Sequence, residues 1–112
     1  MERHLKFSAR SEQKAVIVDV VGQIDMGTSP ALRKALLDSL NGAERLAINL
    51  TEVTYIDSSG IASLLEVLQW AQKQKKRVML FGLAPAVLYV LQLTRLTGVF
   101  EIHETEVQAL SA

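Results

Sequence analysis

The sequence predicts an α/β fold with a mostly parallel sheet and an opening β-hairpin. Three observations carry that reading. Strand-like apolar runs alternate with amphipathic helical segments from residue 29 onward. Two earlier strand-like runs are separated only by Ser11-Glu12-Gln13-Lys14. Apolar residues make up 49 % of the chain and aromatics only 5 %, so the core is expected to be Leu, Val, Ile and Ala. Strands joined through helices require right-handed crossovers, which make neighbouring strands parallel.

The elements follow in order. Leu5, Phe7 and Ala9 alternate with Lys6, Ser8 and Arg10, a period of two. Val16 to Val21 is a β-branched run that closes at Gly22, and the pair reads as an antiparallel hairpin. Ser29-Pro30 marks a helix start, with Ser29 as N-cap and proline at the first helical position. Leu32, Ala35, Leu36 and Leu40 form its apolar face, and Asn41-Gly42 closes it. Arg45 to Leu50 reads as a buried strand. The next helix follows Ser59, with Ile61, Leu64, Leu65 and Leu68 inward and Ser63, Glu66, Gln69 and Lys73 opposite. Val78 to Phe81 is a strand, and Pro85 opens a helix whose face is Val87, Leu88 and Leu91. Leu96-Thr97-Gly98 is a turn, Val99 to Ile102 a short strand, and Thr105 to Leu110 a final helical turn or two.

Composition narrows the function. The 112 residues carry no Pro/Gly/Ser-rich linker, so one domain over residues 1–112 is expected. Twelve basic and twelve acidic residues cancel, which argues against direct nucleic-acid binding. The absence of cysteine excludes disulfides and zinc–thiolate sites. Met1-Glu2-Arg3-His4 leads into no apolar run, and no run approaches a membrane span. A cytoplasmic domain without membrane insertion is the expectation.

Catalytic chemistry finds little support. A nucleophilic Ser58 would need a base, and the histidines are only His4 and His103. Ile56 precedes Asp57, so no Gly-x-Ser-x-Gly elbow exists. There is no ligand cluster for a metal and no glycine-rich phosphate loop. No enzyme activity, cofactor or metal is therefore expected. Lys73 to Arg77 reads as a solvated helix terminus, and Trp70 and Tyr89 as packing residues.

In a parallel sheet, functional loops lie at the carboxyl ends of the strands. Two segments there stand out, 22–28 and 54–60. In the second, Asp57-Ser58-Ser59-Gly60 sits where a strand-like segment gives way to a helix. A helix start offers unpaired N–H groups and a positive dipole, and can hold an anion. The hydroxyls there suit phosphorylation, which adds about two negative charges without unfolding the helix.

Asp57-Ser58-Ser59-Gly60-Ile61 after Tyr55-Ile56 resembles the hallmark of STAS domains, most closely the bacterial anti-sigma factor antagonists. Gly22-Gln23-Ile24-Asp25 is similar to the family's Gly-x-Leu/Ile-Asp segment, and Leu93 to Ile102 to its closing pattern. The family commonly has glycine in the turn after the second helix, where this chain has Gln74-Lys75-Lys76, so a different loop is expected. The resemblance implies a four- to five-stranded mixed sheet with about four helices. It also implies partner switching. The unphosphorylated protein binds an anti-sigma factor that is itself a serine kinase, and so frees the sigma factor. Phosphorylation of the serine after the aspartate ends the complex, and a phosphatase resets it. That serine matches Ser58, with Ser59 the second choice. Asp25, Asp57, Ser58, Ser59, Gly60, Ser63 and Glu66 are the expected partner-binding residues. STAS domains also serve as accessory subunits of lipid-transport ABC ATPases, so that role stays open, as does small-ligand binding.

Overall fold

The computed structural model describes residues 5–112. The readings on Met1–His4, including His4 as a candidate base, lie outside the described residues. A five-stranded sheet in the order β1-β2-β3-β4-β5 forms the centre. The strands are β1 (Leu5–Glu12), β2 (Ala15–Ile24), β3 (Arg45–Ile56), β4 (Arg77–Phe81) and β5 (Glu101–His103). β1 and β2 make the antiparallel hairpin, with Phe7 opposite Val20 and Glu12 opposite Ala15. The other pairings are parallel. The helices are α1 (Ser29–Asn41), α2 (Ser58–Lys73), α3 (Pro85–Leu93) and α4 (Glu106–Ser111).

The strands follow chain order, so crossovers of one hand place successive helices on one face. The core confirms this placement. Val18, Val20, Leu46, Ile48, Leu50, Val78 and Leu80 of the sheet pack with Leu32, Leu36, Leu64, Val67, Val87 and Leu91 of α1–α3. Burying each such side chain contributes about 1.5–3 kcal/mol before chain entropy is counted. The alternate strand residues, Ala15, Ile17, Ala47, Met79 and Phe81, form a second cluster with Ala109 and Leu110 of α4. The last helix thus covers the opposite face.

Several sequence expectations need correction. Ser29 is not the N-cap of α1. It is the first helical residue, Thr28 occupies the cap, and Pro30 follows one place later. β3 does not end at Leu50, because its pairing with β2 continues to Ile56 opposite Ile24. The last strand starts at Glu101, with Val99 exposed before it. Ser63 is 7 % exposed, not on the solvent face. The inward face of α2 is wider than one stripe, since the helix contacts α1 as well as β3 and β4. Tyr89 and Trp70 are 60 % and 43 % exposed, so neither is a core residue. Val87 and Leu91 take the inward positions of α3 and leave Tyr89 on its outer side. The turn at Lys75 adopts φ +57°, the left-handed conformation that glycine tolerates best.

The basic run after α2 is only partly solvated. Lys76 donates through Nζ to the Leu40 carbonyl at the end of α1, and Arg77 pairs with Glu101 at 2.7 Å. Arg10 joins Asp19 at 2.7 Å and also Glu106 of α4. Arg45 donates to the Leu110 carbonyl at 3.0 Å and Arg77 to that of Ala112 at 2.7 Å. The C-terminal segment built on α4 is thus tied to three strands.

These ties predict a pH dependence. The Arg10 guanidinium holds Asp19 and Glu106 below their usual carboxylate range, and Arg77 does the same to Glu101. A depressed carboxylate stabilises the fold above its unfolded pKa, near 4, and loses that contribution as pH falls through its folded value. The urea midpoint should therefore fall below about pH 4. Glu106→Gln should show a smaller drop between pH 6 and pH 3 than wild type. Equal drops would remove Glu106 from this account.

Candidate functional site

Two helix starts meet at the carboxyl ends of β2 and β3. At the first, the loop after Ile24 folds tightly on Asp25, which is 5 % exposed. Its Oδ1 accepts from the N–H groups of Gly27 at 2.9 Å and Thr28 at 3.1 Å. The Thr28 hydroxyl accepts from the Asp25 N–H at 2.9 Å and donates to the Gln23 carbonyl at 2.8 Å. An aspartate that bonds the backbone two and three residues on is a standard turn former. The turn projects Met26, which is 75 % exposed.

At the second, Asp57 caps α2. Its Oδ1 accepts from the N–H groups of Ser59 at 3.0 Å and Gly60 at 3.2 Å, and from the Ser59 hydroxyl at 2.6 Å. Those bonds, the Ser59 hydroxyl foremost, hold the Asp57 carboxyl below its usual range, with the Met26 N–H adding to them. The Asp57 N–H donates to the Ile24 carbonyl at 3.1 Å and fastens the two junctions together. Ser29 and Ser59 meet at 3.5 Å between their hydroxyl oxygens, one from each helix start. Both positive helix ends therefore face one region.

The geometry separates the two serines. Ser59 is half-buried and its hydroxyl proton is committed to Asp57. Ser58, the first residue of α2, is exposed, and no hydrogen bond engages its side chain among the described residues. Gly60 is buried where α2 meets the sheet. A Cβ there would lie 2.6 Å from Ile56 Cγ1 and 2.7 Å from Ile24 Cγ2.

The STAS domain model matches residues 6–109. The chain belongs to the STAS domain family. It is 31 % identical over 88 residues to the anti-sigma-B factor antagonist of Listeria monocytogenes, covering 78 % of this chain and 77 % of the relative. Among solved structures it resembles an anti-sigma factor antagonist from Mycobacterium paratuberculosis at TM-score 0.80 and 25 % identity, covering 96 % and 92 % of the two chains. It also shares the fold of the Bacillus cell fate determinant SpoIIAA in the phosphorylated form, at TM-score 0.72 and 18 % identity, covering 95 % and 97 %.

Within this STAS domain the structure brings Asp25, Asp57, Ser58, Ser59 and Gly60 together at one end of the sheet. Ser63 does not join them at the surface. Glu66 is exposed farther along α2 and pairs with Arg33 of α1 at 3.3 Å. Such an exposed pair contributes under about 1 kcal/mol. Two residues inside the segments 22–28 and 54–60 were not singled out individually by the sequence reading. Met26 crowns the first loop, and Tyr55, 47 % exposed, lines a shallow cleft with Gln23, Asp25 and Asp57. The signal for Met26 was an apolar side chain inside a polar turn. Among the described residues no group of three or more potential ligands is placed to hold a metal. No helix there is long and apolar enough to cross a membrane.

Proposed function

We propose that this STAS domain is an anti-sigma factor antagonist working as a phosphorylation switch. Unphosphorylated, it binds an anti-sigma factor that is a serine kinase, and the bound kinase releases its sigma factor. Phosphate on Ser58 ends the complex, and a phosphatase restores it. The observation that carries the reading is the free, exposed Ser58 hydroxyl beside an Asp57 cap, at the meeting of two helix starts.

Further support comes from chemistry. Helix N-termini tolerate an anion, so phosphate there leaves the domain folded. A docked partner, by contrast, must accommodate that charge next to Asp57, where like charges repel at close quarters. The curated relative from Listeria is named as an antagonist, and the fold of SpoIIAA is one that exists with its phosphate in place. The binding face on this reading is the loop 23–28, Asp57 and Ser58 at the start of α2 with Ser59 and the buried Gly60 beneath them, and the outer side of α2 around Glu66. Ser63 leaves that face because it is buried. Regulation by binding, with no reaction of its own, is the role that follows.

The test is direct. Incubated with a cognate kinase and ATP, the protein should gain one phosphate, mapped by mass spectrometry to Ser58. Phosphate found only outside Ser58 and Ser59 would overturn the reading. Phosphate on Ser59 would move the acceptor by one residue and keep the mechanism.

A further inference from the structure

Ser59 is the hydroxyl that the switch leaves unused, yet it makes the shortest contact at the site. Its Oγ donates to Asp57 Oδ1 at 2.6 Å, and its own N–H reaches the same oxygen at 3.0 Å. Behind it lies Ser29 Oγ at 3.5 Å, on a residue only 4 % exposed. The Ser59 side chain is thereby held between the two helix starts, with its single proton spent on the carboxylate.

We infer that Ser59 is a positioning residue for phosphoryl transfer to Ser58, an inference that rests on Ser58 being the acceptor. In that transfer Ser58 Oγ attacks the γ-phosphorus of the kinase's ATP. The bond from that phosphorus to the β,γ-bridging oxygen breaks, ADP leaves, and the hydroxyl proton passes to a base of the kinase or to solvent. Ser59 touches none of the reacting atoms. It acts through Asp57, keeping the carboxylate turned into the first turn of α2 and off the Ser58 hydroxyl. Without that bond the carboxylate loses its closest donor, and the adjacent Ser58 hydroxyl competes to replace it. A hydroxyl drawn inward toward Asp57 is misaligned for attack, and small misplacements of a reacting group cost rate steeply. The same commitment of the Ser59 proton makes Ser59 a poor acceptor in its own right.

The effect should appear in turnover and not in docking, because Ser59 lies behind Ser58 and contributes little exposed surface. With a cognate kinase and ATP, Ser59→Ala should lower kcat for Ser58 phosphorylation about tenfold and leave KM within about twofold, the scale of one hydrogen bond to a charged group. Ser59→Thr, which keeps the hydroxyl, should return kcat to within about twofold of wild type. Ser58→Ala should take up no phosphate on Ser59. Thermal melts of each variant separate loss of position from loss of fold. Wild-type turnover in Ser59→Ala, a change confined to KM, failure of Ser59→Thr to rescue, or ready phosphorylation of Ser59 in Ser58→Ala would each overturn the inference while leaving Ser58 as acceptor. A wild-type protein that takes phosphate on neither Ser58 nor Ser59 would overturn the switch itself, and this inference with it, whereas phosphate on Ser59 alone would overturn this inference and keep the switch.

Discussion

Ser58→Asp is expected to weaken binding to a serine-kinase anti-sigma factor at least about 100-fold, roughly 2.7 kcal/mol, while Ser58→Ala still binds. The asymmetry follows from charge. Ser58 is exposed at the first position of α2, directly after the ionised Asp57 cap. A second carboxylate there places like charges side by side, and a docked surface removes the water that would screen them. Alanine removes the phosphate acceptor and adds no charge, so its complex should become insensitive to ATP. Titration calorimetry with wild type and both variants reads the difference. The variant must remain folded for the result to count, and the helix end makes that the expectation. The introduced carboxylate would sit in the first turn, where capping and dipole effects limit its influence on stability to about 1 kcal/mol. Equal affinities for wild type and Ser58→Asp would reject the switch. A constitutive complex with an ABC ATPase, indifferent to both substitutions, would assign the accessory-subunit role instead.

Gly60→Ala should destabilise the domain by about 2 kcal/mol, although alanine is the better helix former. The added methyl would meet Ile56 Cγ1 at 2.6 Å, Ile24 Cγ2 at 2.7 Å and the Ile24 carbonyl oxygen at 3.2 Å. The two isoleucines are buried at the ends of β3 and β2, and the Ile24 carbonyl already accepts from the Asp57 N–H. Relief therefore requires α2 to lift from the sheet or the isoleucines to leave their rotamers. Either shift also disturbs the Asp57 cap, so partner binding should weaken along with stability. Gly42→Ala is the matched control, because a Cβ there has nothing within 4 Å. Urea unfolding of the two variants, each against wild type, decides the matter. A Gly60→Ala midpoint no lower than that of Gly42→Ala would mean the helix and sheet adjust freely at this junction.

The sequence by itself determined the layering and the location of the site. Strand runs with period two and helix faces with period 3.6 are local consequences of backbone geometry, so they survive without knowledge of neighbours. Proline marked the starts of α1 and α3, and Asp57 with its two serines and glycine marked the start of α2. Element boundaries were less secure where pairing outweighed composition. Thr51, Glu52, Thr54 and Tyr55 look like a loop, yet β3 runs through them because β2 supplies hydrogen-bond partners as far as Ile24.

Only the tertiary structure decided what depends on contact between distant segments. Ser63 looked exposed on a helical wheel, but a helix held against both a sheet and α1 buries more than one stripe. Tyr89 read as a packing residue, and the outer side of α3 left it 60 % exposed. α4 crossed to the far face, where Arg10, Arg45 and Arg77 from three strands hold it and the residue after it. The difference between Ser58 and Ser59 was decided in the same way. Adjacent residues of one type are equivalent in sequence. One becomes the free hydroxyl and the other the bound one because the first turn of α2 aims Ser59 at Asp57, against Ser29 from another helix.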